Sequence, residues 1–214
     1  MMRMIPMADT APPRPLPLPL PLPLPLPDHV RIDSDSTVLA TIDQPQVTLA
    51  IWERPSPLPA PALTDFPTIR FAANTQGVVA KVRDALAPLP AEPWHETLAA
   101  DVARLAMLYA TWTGEERVEV RIERVTGNGC WKFHADYVGL RLITTYCGRA
   151  TQWLPQDAPD EAAPRALSAG DVGLFKGRER AGDRAIIHRS PPIAGTGEDR
   201  LLLVIDAPWP EADA

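Results

Sequence analysis

The sequence predicts a mainly β domain: an antiparallel barrel or jelly roll with two helices covering one sheet. Three observations predict it. Helical periodicity is confined to the stretch between Thr75 and Trp112. Beyond Gly114 the apolar residues recur in short runs with a period of two, separated by Gly- and Pro-rich turns. The last run, residues 200–206, is largely apolar on both faces, as a strand buried between two layers must be. No strand–helix alternation of the Rossmann type is present.

The first stretch of the 214 residues cannot help to build a core. From Pro15 to Pro27 the chain alternates Pro and Leu, which fixes φ at every second residue and removes half the backbone donors. That pattern favours an extended polyproline II rod. We expect residues 1–40 to form a disordered proline-rich tail, a candidate for contacts with proline-recognising proteins. Residues 41–210 form the single expected domain, with a β core at about 115–207.

Within that domain, residues 47–52 (VTLAIW) read as a short strand bounded by Pro45 and the prolines from Pro55 to Pro61. Val78, Val82 and Leu86 recur at helical spacing before Pro88 ends the pattern. A stronger helix spans residues 96–112, where Leu98, Val102, Leu105, Tyr109 and Trp112 form a core stripe and Asp101 and Arg104 occupy another face. Val118, Val120 and Ile122 then alternate with charged residues, and Thr126-Gly127-Asn128-Gly129 supplies a tight turn. A hairpin with a returning strand at 130–136 follows from this. Further strands are expected at 140–146, 151–154, 171–175, 185–188 and 200–206. Arg200 opens a doubly buried strand, and an arginine there asks for a charged partner.

A net charge of −6 gives no support to a nucleic-acid surface, which needs clustered Lys and Arg to displace counterions. Locally, Lys176, Arg178, Arg180, Arg184 and Arg189 outnumber Glu179 and Asp183, which reads first as a solvated basic loop, with an anionic substrate entering beside His188 as the sharper alternative. No apolar run precedes the prolines, so neither a signal peptide nor a membrane span is expected. Cys130 and Cys147 are too few for a disulfide framework, and a reducing cytoplasm is the expected setting.

The chemistry-bearing pattern is His134-Ala-Asp136, followed 52 residues later by His188 and 12 further on by Arg200. Residues i and i+2 of a strand share a face, so His134 and Asp136 can offer an imidazole and a carboxylate to one ion. With His188 they would leave coordination positions open, the pattern of non-haem iron. His29, in the tail, and His95, at a helix start, stay outside this set. An HxD triplet alone is more often a hydrogen-bonded pair; the histidine and arginine on later strands are what raise it to a metal site.

The segments HADYVGLRLITTY, ATQWLP, AGDVGLFKG and IIHRSPPIAGTGEDRLLLVID resemble successive core strands of the Fe(II)/2-oxoglutarate-dependent oxygenases of the prolyl-hydroxylase-like branch. That resemblance implies a double-stranded β-helix of cupin type, with Fe(II) held by His134, Asp136 and His188. It also implies that Arg200 grips the distal carboxylate of 2-oxoglutarate, with Arg141 and Tyr146 helping to orient it, although their opposite parity allows only one to face inward on a regular strand. CWKFHAD, RLITTYCGRATQWLP and HRSPP resemble more closely the uncharacterised bacterial domain-of-unknown-function family 1826.

Other classes remain open at this point. Cys130 shares strand parity with His134 and Asp136, and thiolate with imidazole suits zinc, giving a non-catalytic cupin-like protein of metal sensing or homeostasis. A hydrolase built on Cys130 and His134 lacks an evident oxyanion site, and Ser190 lacks a nucleophile elbow. A metal-free interaction protein is the remaining alternative.

Overall fold

The computed structural model describes residues 25–59 and 61–208. Most of the Pro-Leu repeat therefore lies outside the described residues. In chain order the strands are β1 (Val30–Asp33), β2 (Leu49–Trp52) and β3 (Ile69–Asn74), then helices α1 (Val78–Leu86) and α2 (Pro93–Thr113). Strands β4 (Arg117–Val125), β5 (Leu140–Cys147), β6 (Gln152–Leu154), β7 (Arg165–Ala166) and β8 (Val172–Lys176) follow. A short helix α3 (Arg178–Ala181), then β9 (Ile187–Arg189) and β10 (Arg200–Asp206), complete the described chain.

Seven strands form one sheet in the order β1-β2-β8-β5-β10-β4-β3, and three form a second in the order β7-β6-β9. Only β1 and β2 pair in parallel. The large sheet has two buried faces. On one, Leu201, Leu203 and Ile205 of β10 join Val120, Ile122, Leu140 and Leu142 against the helices. On the other, Leu202 and Val204 join Leu49, Ile51, Ile143 and Phe175, packed with Trp153 of the small sheet. The period of two in β10 thus feeds both layers at once.

The helices form for the reasons read in the sequence. Val78, Val82 and Leu86 are buried on α1, as are Leu98, Val102, Leu105 and Tyr109 on α2. Pro93 occupies the first turn of α2, and Gly114, at φ 74°, ends it in the left-handed conformation that a residue without Cβ adopts freely. No helix among the described residues is long and apolar enough to cross a membrane.

Three expectations are corrected. Ordered structure begins inside the stretch assigned to the tail: Val30 and Leu39 are buried, and His29 hydrogen-bonds Thr48. The segment packs because apolar residues reappear as soon as the prolines stop. The β core also starts earlier than residue 115, since β1, β2 and β3 precede the helices. Finally, residues 130–136 do not return beside β4. Strand β4 already has β3 on one edge and β10 on the other, so no ladder position remains for them. The turn serves another contact, in which Asn128 Oδ1 accepts hydrogen bonds from the backbone of Ile193 and Ala194.

Asp101 departs from its expected place on the polar face of α2. It is buried and receives a fork of bonds from Arg54, at 2.6 and 2.7 Å, and a third from the Tyr146 hydroxyl at 2.9 Å. Arg54 Nε donates onward to the Gly170 carbonyl. This network ties the chain after β2 to α2 and to β5. Replacing Asp101 by Ala strands the Arg54 guanidinium in a site where its side chain is 9% exposed. Breaking a buried pair costs about 3–5 kcal/mol. Urea unfolding of Asp101→Ala should show a loss of that order, and a loss under about 1 kcal/mol would contradict the assignment.

Candidate metal centre

The centre is assembled by backbone before any side chain is considered. His134 and His188 face each other across an isolated antiparallel bridge, with each amide donating to the other's carbonyl at 3.1 and 2.9 Å. Such a reciprocal pair sets two residues side by side, and the imidazole centroids stand 5.0 Å apart. His188 is held on the other side because β9 pairs with β6, where Trp153 is its register partner. The Asp136 carbonyl accepts from the Arg178 amide at 2.8 Å. Gly177 permits that approach: a Cβ there would lie 2.2 Å from the Val138 carbonyl oxygen.

His134, Asp136 and His188 each present one ligand atom, and these atoms lie within 4.8 Å of one another. His188 Nε2 is 3.0 Å from Asp136 Oδ2, and His134 Nε2 is 3.7 Å from Asp136 Oδ1. Two donors about 2.1 Å from one ion and at right angles to it stand about 3.0 Å apart. Arg141 Nη1 is 2.7 Å from the same Oδ2. Three ligand atoms this close can converge on one ion.

His134 Nδ1 lies 2.8 Å from the Lys132 carbonyl, which can only accept. Nδ1 therefore carries the proton and Nε2 keeps its lone pair, the tautomer a metal ligand requires. His188 lacks the equivalent support: its Nδ1 is buried with no hydrogen-bond partner among the described residues, and its ring packs on Phe175 at 5.0 Å. Burial would raise the Asp136 carboxyl, but His188, Arg141 and His134 outweigh it and hold the group well below the usual carboxylate range. A ligand set of two imidazoles and one ionised carboxylate fits a divalent ion. The three residues line a cavity of about 210 Å³ between the two sheets.

The remaining candidates fall in different places. Arg141 lines the same cavity but is fully engaged, with Asp136 on one side and both oxygens of Asp206, each at 2.7 Å, on the other. It holds the ligand carboxylate. Tyr146 is corrected: its odd spacing from Arg141 turns it to the helix layer, where it bonds Asp101, so it cannot touch the cavity. Cys130 is exposed at the cavity rim and stands outside the ligand group. Its φ of 52° marks a turn residue, so the shared strand face that paired it with His134 does not exist.

Arg200 is fully buried and has no carboxylate partner among the described residues. Its Nε donates to the Arg149 carbonyl, Nη2 lies 3.5 Å from the Thr145 hydroxyl, and Nη1 has no partner among the described residues. It does not line the cavity directly. Thr145 shares a face with Ile143, and its register partner is Leu202; both of those do line it. The guanidinium therefore lies on the cavity side of the sheet, one residue behind the wall. The sequence did not reveal Thr145 or Asp206 as contacts, because their relation to Arg200 and Arg141 exists only across strands.

The depressed Asp136 acidity sets a pH dependence. A carboxylate more acidic in the folded than in the unfolded chain adds stability that is complete above the unfolded value, about 3.9, and lost as pH falls toward the folded one. The unfolding free energy of the metal-free protein relative to Asp136→Asn should decline as pH falls below about 4. A difference that stays constant through the acid range would remove the ion-pair description of Asp136.

Known structures resemble parts of this fold. A dioxygenase for auxin oxidation from rice is 20% identical over 72% of this chain and 59% of its own, with a TM-score of 0.44. This chain thus spans about three fifths of that protein's length. A Pseudomonas putida prolyl-4-hydroxylase is 14% identical over 81% of this chain and 98% of its own, with a TM-score of 0.42. These are partial likenesses and assign no activity. No curated protein matches the sequence. The model of the family described as protein of unknown function (DUF1826) matches residues 33–206, well over half of the chain and all of the residues of the centre, and the protein belongs to that family.

Proposed function

We propose that the two sheets form a double-stranded β-helix and that the protein is an Fe(II)- and 2-oxoglutarate-dependent oxygenase. The observation that supports this best is the joint presence of a three-donor His-Asp-His set and a fully buried guanidinium without a carboxylate, on the same side of one sheet. When bound, ferrous ion and the oxoacid together supply the oxidation of a C–H bond by dioxygen.

The chain's own residues would do the following. His134, Asp136 and His188 would hold the ion while neutralising only part of its charge, which leaves positions for a chelating ligand. Arg141 would fix the rotamer of Asp136 and is itself anchored by Asp206. Arg200 would take the distal carboxylate of the oxoacid. Burial lowers its pKa, with Glu198 and Glu123 opposing, yet a guanidinium stays charged at neutral pH. Leaving a buried donor such as Nη1 unpaired costs about 1–3 kcal/mol, which a bound carboxylate would remove. The packed layer of Ile143, Leu202 and Val204 would exclude bulk water from the reacting atoms.

Anaerobic titration of metal-free protein with Fe(II) and with Zn(II), each with and without 2-oxoglutarate, tests this reading. We expect one Fe(II) per chain, and a visible charge-transfer band that develops only with the oxoacid. Ala at His134, Asp136 or His188 should weaken metal binding by at least tenfold. Arg200→Gln should keep the metal and lose the oxoacid effect. Tight binding of zinc with no response to 2-oxoglutarate would instead point to the metal-sensing alternative.

A further inference from the structure

The inner face of the large sheet continues past the centre onto β10, β4 and β3, and its charges are not all paired. Along β4 the residues on this face are Glu119, Arg121, Glu123 and Val125, alternating with Val118, Val120 and Ile122 on the helix side. Arg121 lines the metal-centre cavity. It also lines a smaller adjoining cavity of about 90 Å³, together with Arg70, Glu119, Arg141, Val204 and Asp206.

Arg70 on β3 and Arg121 on β4 are register partners, directly opposite each other. Like charges in that arrangement destabilise a sheet. Neither guanidinium has a hydrogen bond or an ion pair among the described residues, whereas Arg141 is paired with Asp136 and Asp206, and Arg189 bonds Gln152 through Nε and lies over the Phe133 ring. Two opposed cations with unused donors beside a candidate reaction centre have the form of an anion clamp.

We propose that Arg70 and Arg121 form a subsite for one compact anionic group of the substrate, a carboxylate, phosphate or sulfate. This rests on the reading of the neighbouring centre as catalytic, and it narrows the substrate to a small organic acid. Arg121 is separated from β5, whose Arg141 touches Asp136, by β10 alone. Arg121 pairs with Val204 and Arg141 with Asp206, so across β10 and two residues along the strands their backbones stand about 12 Å apart. The acid therefore carries its charge at the end remote from the bond to be changed. Glu119 and Glu123 flank Arg121 at two residues on either side, about 7 Å along the strand. They repel extended polyanions such as nucleic acid and confine the site to a single charged group.

The test uses full-length protein and inorganic phosphate, read by ³¹P line width and by calorimetry. Wild-type protein should bind phosphate in the metal-free state. Arg70→Gln and Arg121→Gln should each weaken it at least tenfold, with Lys at either position restoring part of the affinity. In protein loaded with Mn(II), the phosphorus resonance should show paramagnetic relaxation that Arg70→Gln and Arg121→Gln remove. Arg70 is exposed and Arg121 half-buried, and the circular dichroism of both variants should match that of wild type. Phosphate affinity that is the same in both Gln variants as in wild type, or that is lost only in Arg200→Gln, overturns the subsite. Failure of Mn(II) to bind would instead count against the metal centre, and the phosphate titration would still decide the clamp.

Discussion

Burial of β10 on both faces is the constraint from which the rest of the architecture follows. Its side chains alternate between two apolar layers, Leu201, Leu203 and Ile205 toward the helices and Leu202 and Val204 toward the small sheet. A strand of this kind must lie inside its sheet with a partner on each edge, and β5 and β4 supply them. Once those edges are filled, the segment after β4 cannot add to the large sheet. It crosses to the small one, where His134 meets His188 in a reciprocal backbone bridge. The geometry of the centre is thus a consequence of which strand edges remain open.

Arg54, Arg141 and Arg200, all largely shielded from solvent, follow three different solutions to the same electrostatic problem. Arg54 is matched to Asp101 by a fork of two bonds and serves packing between layers. Arg141 is shared between Asp206 and Asp136, so that a structural ion pair reaches into the cavity and holds a ligand oxygen. Arg200 has backbone and hydroxyl neighbours but no directly paired carboxylate among the described residues. A fully paired charge stabilises the fold, and an unpaired one costs free energy until an anion arrives. The contrast separates two arginines that hold this molecule together from a third whose charge the described residues leave unmatched.

Much of the fold was legible because periodicity and breakers are local properties. The stripe Val78, Val82 and Leu86, the stripe through Tyr109, and the strand 200–206 all lie where their spacing placed them. Strands β1, β3 and β7 were missed, since each is short and shares residues with a segment read as tail or loop. The 130–136 strand was wrongly inferred from its turn: Asn128-Gly129 does support a turn, but the sequence does not say which neighbour has a free edge.

The sequence by itself determined the donor types and their spacing, His134 and Asp136 two apart and His188 and Arg200 on later apolar runs, because chemistry and local period are carried residue by residue. Only the tertiary structure decided that Cys130 sits in a left-handed turn outside the ligand group and that Tyr146 faces the helices while Arg141 faces the cavity. It alone decided that Arg70 stands opposite Arg121. Those outcomes depend on strand register and edge availability, which are set by competition among segments distant in the chain.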